Sequence, residues 1–307
     1  MAQVLNYHDA VIYDTDVGLF GDGGWLNDSC INWFFRVLEH DVFPGRKELL
    51  FMDPAVVSCM MNQCDDEEEL VDLGRGLDLG SRRMVFVPVN NARGRLARGS
   101  HWSLLVFERE RVQGAATGHS NSSRPHFRHF DSSEGSNRTP AELTAAKFLQ
   151  MLGETVAGGG GPSPVEHVRD APQQSNGFDC GMYTVLLARR LASRAAAAPA
   201  TIASPVVVEN EAAVAATVVV AAASSGESEM LDPDMEAVAG VQRVDWGVGC
   251  VSGGSEGVSV ATERRGSGEG DEDAKGMSMS ISPEFVSEER TLARERLLRC
   301  IRSQGRC

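Results

Sequence analysis

The sequence predicts a globular protein that combines α-helices with β-strands, and three observations lead to this fold class. Its 307 residues are enough for one large domain or two small ones with a full hydrophobic core. Hydrophobic residues make up 42% and charged residues 23%, which is typical of a soluble globular protein. The first 194 residues contain both apolar stripes at helical spacing and short apolar runs typical of strands.

These helices and strands can be placed along residues 1–194, which we expect to form the main part of a single domain. Residues 25–39 carry an apolar stripe that predicts a helix with Asn27 as its N-cap. Further helices are predicted over 65–73, over 139–152 with Thr139 as N-cap, and over 180–198. Strands are predicted over 84–90, 101–107 and 127–131. The Gly-, Ser- and Asn-rich stretch 114–126 predicts an exposed hairpin extension.

The composition changes near Ala195 to a mixture of Ala, Val, Gly, Ser and Glu. Such low complexity predicts a disordered insertion over 195–280. Residues 195–282 hold 14 acidic and 4 basic side chains, so most of the net charge of −14 belongs to this segment. A helical pattern returns afterwards, and we expect 281–307 to rejoin the domain with Leu292, Leu298 and Ile301 facing inward.

Charge and composition exclude several classes of function. An acidic chain lacks the basic face of a nucleic-acid-binding protein. The N-terminus has no signal-like pattern, and no apolar run approaches the ~20 residues that cross a bilayer. Seven cysteines without a framework spacing indicate reduced thiols, which favours a cytoplasmic or nuclear protein.

Cys180 is the first candidate for chemistry, because it precedes a strongly apolar helical run. A cysteine at a helix N-terminus lies at the positive end of the helix dipole, which favours the nucleophilic thiolate. Gly181 would keep the approach to the sulfur open. A buried structural cysteine is the commoner role for this residue type, so position alone does not decide.

Three other residues could complete a nucleophilic site around this thiol. His101 opens one predicted strand and Asp131 closes the next, so adjacent strand ends can bring a base and a carboxylate together. Gln174, six residues before Cys180, could donate to a developing oxyanion together with the Cys180 backbone N–H. Each residue also has an ordinary interpretation, as a partly buried histidine or a solvated turn amide.

Four motifs in this order resemble the ubiquitin-like-protein-specific proteases, which are sentrin-specific, adenain-like cysteine proteases. The motifs are WLND at 25–28, HWSLLVF at 101–107, HFDS at 129–132 and QQSNGFDCGMY at 173–183. FMDP at 51–54, EEEL at 67–70, RRMVFVPVNN at 82–91 and DSSEGSN at 131–137 point to the deneddylase branch, which acts on the neddylation modifier. The resemblance covers roughly 5–194 and, weakly, 281–304.

The resemblance implies a papain-like α+β fold with a mixed sheet packed against helices, and a cysteine protease that needs no cofactor or metal. It implies a catalytic triad of His101, Asp131 and Cys180, with Gln174 in the oxyanion hole. It further implies a tunnel for a Gly-Gly tail, walled by Trp25 and Trp102, with Asp28 near the tail. Only glycine lacks the Cβ that such a tunnel would exclude. We expect a monomer whose partners are the modifier and its conjugates.

Three alternatives remain open from the sequence. A metal site could use His119, His126 and His129, or Cys59 and Cys64, although neither set has the paired spacing of a zinc site. A catalytically silent binder of ubiquitin-like proteins could keep the tryptophans without using the triad. A protease for the small ubiquitin-related modifier would use the same triad on a different substrate.

Overall fold

A computed structural model describes residues 1–92, 99–109, 125–153, 165–197 and 280–304. It has an α+β architecture in which a five-stranded mixed sheet lies between two groups of helices, and this confirms the predicted fold class. The sheet strands are β3 (Leu49–Phe51), β4 (Met84–Asn90), β5 (Trp102–Arg109), β6 (Pro125–Phe130) and β7 (Val165–His167). An N-terminal hairpin of β1 (Gln3–Tyr7) and β2 (Ala10–Tyr13) forms a separate two-stranded sheet.

The strands of the main sheet follow one another in chain order from β3 to β7. The central strands β4, β5 and β6 are antiparallel, whereas β3 and β7 pair in parallel at the two edges. Pro88 lies beyond the last β3 residue paired with β4, so its missing N–H falls where β4 has no β3 partner. The proline therefore removes no hydrogen bond between these two strands.

The α-helices of the described residues are α1 (Asp14–Val17), α2 (Asp28–Val37), α3 (Pro54–Asn62), α4 (Glu67–Gly76), α5 (Arg138–Met151), α6 (Cys180–Ala197) and α7 (Pro283–Gln304). Asn27 caps α2 as predicted, because its side chain accepts the Cys30 N–H at 3.0 Å. The prediction of Thr139 as the cap of α5 is wrong. The N-cap is Asn137, and the helix begins at Arg138.

Apolar side chains divide into two cores, one on each face of the sheet. One core joins the sheet to α2, α6 and α7, and the other joins it to α3, α4 and α5. Alternation along the buried strand β4 sends Phe86 to the first core and Val85 and Val87 to the second. The helix α6 packs against the face of β5 that carries Leu104.

The C-terminal helix belongs to the first core, where Val286, Ala293 and Leu297 are fully buried. The expected inward face is wrong for Leu292, which is 43% exposed, and Leu298 is only partly buried. The predicted insertion 195–280 lies outside the described residues, except that α6 continues to Ala197 and Ser280 is described. Of the predicted hairpin extension 114–126, residues 114–124 lie outside the described residues, and residues 125–126 belong to β6.

Within the described ranges, no helix is both long enough and apolar enough to cross a bilayer.

Candidate active site

His101 and Asp131 meet at the ends of two neighbouring strands. His101 directly precedes β5 and Asp131 directly follows β6, and these strands pair antiparallel with Leu104 opposite Phe130. The His101 Nε2–H donates to Asp131 Oδ1 at 2.6 Å, and both side chains are buried. The structure therefore brings together the two residues whose meeting the sequence predicted.

The Asp131 carboxylate is held by further donors. Its Oδ1 accepts the Ser133 backbone N–H at 3.0 Å, and its Oδ2 accepts the Asn137 backbone N–H at 2.9 Å. Burial opposes ionisation, but the His101 hydrogen bond and these two N–H groups outweigh it and keep the pKa of Asp131 below its ordinary value. The carboxylate is thus charged and fixed in one orientation toward the imidazole.

Cys180 is the first residue of α6 and lies next to the His101 ring. The thiol is within hydrogen-bonding reach of the imidazole, and because Nε2 faces Asp131, Nδ1 is the nitrogen left for the sulfur. Burial lowers the pKa of His101, but the hydrogen bonds to Asp131 and Cys180 and the charge of Asp131 raise it to about 9. The imidazole is therefore protonated near neutral pH.

Asn137 supports this pair and was not recognised as a site residue from the sequence. The Nδ2 of its fully buried side chain has two hydrogens and lies within hydrogen-bonding distance of Val89 O at 3.1 Å, His101 O at 3.3 Å and Ser103 Oγ at 3.0 Å. Its backbone N–H reaches Asp131, so one residue ties both strand ends together. The motif DSSEGSN contains it, but only the fold reveals that its side chain crosses between strands.

Gln174 lies beside this site, in the segment between β7 and α6 and next to the residues that follow β6. Its backbone N–H donates to Ser132 O at 2.9 Å, and its Oε1 accepts the Ser132 hydroxyl at 2.7 Å. Its Nε2 donates one hydrogen to Asn176 O at 2.5 Å, which leaves the second hydrogen of the amide for another acceptor. Gln174 and His101 line the same cavity, of ≈ 510 Å³.

A larger groove, of ≈ 1040 Å³, is lined by Cys180 itself. Trp25, Asp28 and Trp102 all line it. Trp25 is 49% exposed, whereas Trp102 is only 7% exposed because its indole packs in the core and its Nε1–H donates to Leu26 O at 2.9 Å. Groove atoms around the Asp28 carboxyl desolvate it and raise its pKa above the ordinary value, although the residue keeps an exposed face.

Gly181 has a packing reason for being glycine. A Cβ at this position would lie 2.9 Å from Leu26 Cβ, so the missing side chain lets the start of α6 pack against the segment that carries Trp25. The glycine therefore lets the two sides of the groove come together.

The histidines considered for a metal site do not converge. His129 is buried and contacts Ser103 and His167, whereas His126 is exposed and pairs with Glu166 at 3.2 Å. His119 lies outside the described residues. Within the described part of the chain, no group of three or more His, Cys, Asp or Glu side chains is arranged to hold a metal ion.

Comparison with known proteins places this geometry in a family. The profile of the Ulp1 protease family, C-terminal catalytic domain, matches residues 76–215, which include His101, Asp131, Gln174 and Cys180. Sentrin-specific protease 8 of Homo sapiens is 32% identical over 186 residues, covering 59% of this chain and 77% of the relative. NEDD8-specific protease 1 of Arabidopsis thaliana is 29% identical over 189 residues, covering 61% and 74%.

Solved structures show a weaker likeness. The C-terminal Ulp1 protease domain in complex with Smt3, the yeast ortholog of SUMO, superposes with a TM-score of 0.45 at 18% identity, covering 64% of this chain and 78% of that chain. The sequence relationship to the human protein carries the assignment. The chain belongs to the Ulp1 protease family and is a cysteine protease.

Proposed function

We propose that this protease cleaves after the C-terminal Gly-Gly of a ubiquitin-like modifier, and that its preferred modifier is NEDD8. Cleavage would process the NEDD8 precursor, release NEDD8 from conjugated proteins, or do both. The observation that supports this most is the alignment of Cys180, His101 and Asp131 at the end of the groove lined by Trp25 and Trp102. The relatives named for sentrin and for NEDD8 support the choice of substrate class.

In the proposed reaction, Cys180 is the nucleophile and His101 moves the proton. The Cys180 thiolate attacks the carbonyl carbon of the terminal glycine, and the His101 imidazolium then donates its proton to the leaving amine as the C–N bond breaks. Water, deprotonated by His101, attacks the resulting thioester and releases the glycine carboxylate and the thiol. A His101 pKa of about 9 makes the imidazolium, the proton donor of the first step, the resting form at neutral pH.

Asp131 and Gln174 would serve this reaction in different ways. Asp131 fixes the ring so that Nδ1 faces the sulfur, and its charge stabilises the imidazolium. Gln174 would donate the second hydrogen of its amide to the oxyanion, together with the backbone N–H of Cys180 at the start of α6.

The groove supports a Gly-Gly tail as the recognised feature. Trp25 and Trp102 line it near Cys180, and we propose that their indoles confine the tail to residues without a Cβ. Asp28, on the same groove, would contact the tail or the modifier behind it. Confinement of an extended chain also holds its scissile carbonyl in line with the thiolate.

Cleavage of matched reporters tests this function. NEDD8 and the small ubiquitin-related modifier, each carrying a C-terminal fluorogenic amide, would be compared with a NEDD8 reporter whose Gly-Gly is changed to Ala-Ala. We expect the highest kcat/KM for NEDD8 with Gly-Gly and a strong loss with Ala-Ala, because a Cβ does not fit between the indoles. A higher kcat/KM for the small ubiquitin-related modifier would make that modifier the substrate instead of NEDD8. Equal cleavage of the Gly-Gly and Ala-Ala reporters would contradict the proposal that the indoles exclude a Cβ.

A Gln174→Ala substitution tests the oxyanion role. One oxyanion donor contributes about 10²- to 10³-fold to kcat. We therefore expect kcat to fall by about that factor with little change in KM, measured on the NEDD8 reporter. Ser175→Ala, at the exposed neighbouring position, is the matched control and should retain wild-type kinetics. A change confined to KM would make Gln174 a substrate-binding residue instead.

A further inference from the structure

The C-terminal helix α7 carries two adjacent charged residues of opposite sign, Glu289 and Arg290, and both are buried. Burial of a charge is costly unless partners satisfy it, so the partners indicate why each charge is there. Glu289 accepts two hydrogen bonds from the Arg189 guanidinium in the middle of α6, both at 2.9 Å. Arg290 contacts a different part of the molecule, next to the active site.

Arg290 joins the residue before Cys180 to the loop before Trp25. Its Nε and Nη2 donate to Asp179 Oδ1 at 3.2 Å and 2.6 Å. Its Nη1 lies within hydrogen-bonding distance of three backbone carbonyl oxygens, those of Leu19 at 3.0 Å, Gly21 at 3.3 Å and Gly24 at 3.0 Å. The planar fork of a guanidinium can serve a carboxylate and carbonyls at once, which a lysine cannot.

On the Asp179 side, the contacts continue as far as the proposed oxyanion donor. Asp179 Oδ2 accepts the Asn176 side-chain amide at 2.7 Å, and Asn176 Oδ1 accepts the backbone N–H groups of Phe178 and Asp179 at 3.1 Å and 3.0 Å. The carbonyl of Asn176 in turn accepts Gln174 Nε2. An unbroken series of hydrogen bonds therefore runs from Arg290 to Gln174.

On the other side, the carbonyls that Arg290 binds belong to a tightly closed loop. A Cβ on Gly24 would lie 2.3 Å from the carbonyl oxygen of Leu19, and Gly23 has a φ of +73°. Trp25 follows this loop directly. Because Arg290 binds the loop on both sides of its closure, at Leu19 and at Gly24, it fixes the position from which Trp25 projects into the groove.

We propose that Arg290 is a positioning residue for catalysis, which holds the turn 174–180 and the Trp25 side of the groove in register from the C-terminal helix. The proposal rests on the proposed roles of Cys180 and Gln174. Arg290 lies outside residues 76–215, the segment that matches the family profile, and residues 198–282 separate α7 from α6 in the chain. A helix remote in sequence would thus complete the active site.

The neighbouring ion pair provides a matched control for the test. Arg290→Met removes the guanidinium next to the active site. Arg189→Met removes the guanidinium of the other buried ion pair of α7, whose two hydrogen bonds join the middle of α6 to Glu289. Both full-length variants would be compared with wild type on the NEDD8 reporter. Active sites are counted by covalent labelling with NEDD8 bearing a C-terminal electrophile, so that kcat refers to folded, reactive enzyme only.

We expect both substitutions to lower Tm, but only Arg290→Met to lower kcat per labelled site. The expected decrease is about 10- to 10²-fold, because a small displacement of the reacting groups lowers the rate by about that factor. Arg290→Lys should recover part of the loss, since an ammonium can reach Asp179 or the carbonyls but not both. If Arg290→Met does not fold, Asp179→Asn takes its place, and Glu289→Gln serves as the control in place of Arg189→Met. Wild-type kcat per site in the Arg290 and Asp179 variants would overturn the proposal.

Failure of the proposed function would give a different result. In that case wild-type protein itself would not cleave the reporter, or a Cys180→Ala variant would cleave it equally well. A different outcome would refute the role of Arg290 alone. In that outcome the wild type is active and depends on Cys180, but Arg290→Met and Arg189→Met have equal kcat per labelled site.

Discussion

Substitution of Cys180 by alanine is expected to abolish cleavage, lowering kcat by about 10⁴-fold or more, while leaving the modifier bound. The large factor is expected because Cys180, His101 and Asp131 act as one unit in the proposed reaction. Without the thiolate no acyl intermediate forms, and His101 and Asp131 have no nucleophile to activate. Binding should persist because the groove walls, Trp25 and Trp102, are unchanged. The measurements are kcat on the NEDD8 reporter and Kd for unlabelled NEDD8, with Tm as the test of folding.

Cys59→Ala is the control for this experiment, because it removes a partly buried thiol from α3, away from His101. That variant should retain wild-type kcat and form a covalent adduct with NEDD8 bearing a C-terminal electrophile. Cys180→Ala should form none. Residual turnover near the wild-type rate, or labelling of another cysteine, would transfer the nucleophile to a different residue.

The parts of the site that the sequence predicted are those carried by local signals. Cys180 precedes a long apolar helix, and His101 and Asp131 stand at the ends of strands with clear apolar character, so their elements were placed correctly. Adjacent antiparallel strands then bring those ends together without any further information. The same local signals located α2 through its asparagine cap.

Two of the features that were missed depend on contacts between distant segments. Strands β3 and β7 have three residues each, too few to show an alternating pattern, and each is recognised only by its parallel partner. The cap of α5 was misplaced because Asn137 serves the strand ends with its side chain and not the helix. Neither feature leaves a trace in neighbouring residues.

The C-terminal helix α7 shows most clearly that local sequence patterns do not reveal contacts between distant segments. The sequence predicted that apolar residues would face inward, but the buried side of α7 includes Glu289, Arg290 and Arg296. Their partners Arg189, Asp179 and Asp41 are 100 or more residues away in the chain. Pairing of buried charges follows from the folded arrangement, so a hydrophobic pattern could not reveal it.

Trp102 has a structural role beside the substrate-binding role that we propose for it. The indole lines the groove, yet it is buried in the core and bonded to Leu26. Removing it would therefore weaken the fold as well as the groove. Trp25, which is half-exposed, is the tryptophan whose contribution to substrate binding can be separated from its contribution to stability.

Substitution of Asp131 by asparagine should both slow the reaction and move its pH profile. The wild-type alkaline limb of kcat/KM is expected near pH 9, where His101 loses the proton that the leaving amine needs. The neutral amide of the variant would carry no charge to stabilise the imidazolium, so the limb should shift toward the ordinary histidine pKa of about 6.5. We expect kcat to fall by about 10²- to 10⁴-fold, the range attributed to acid–base catalysis and to loss of the orienting carboxylate.

The same substitution should change how stability depends on pH. The folded-state pKa of His101 lies above its unfolded value of about 6.5, so its contribution to stability is complete below that pH and is lost as pH rises through about 9. The free energy of unfolding of the wild type should therefore decline across this window, and that of Asp131→Asn should decline less. Asp66→Asn, which removes the same charge from an exposed helix cap, should leave both pH profiles unchanged. An alkaline limb that stayed near pH 9 in Asp131→Asn would show that Asp131 does not set the protonation of His101.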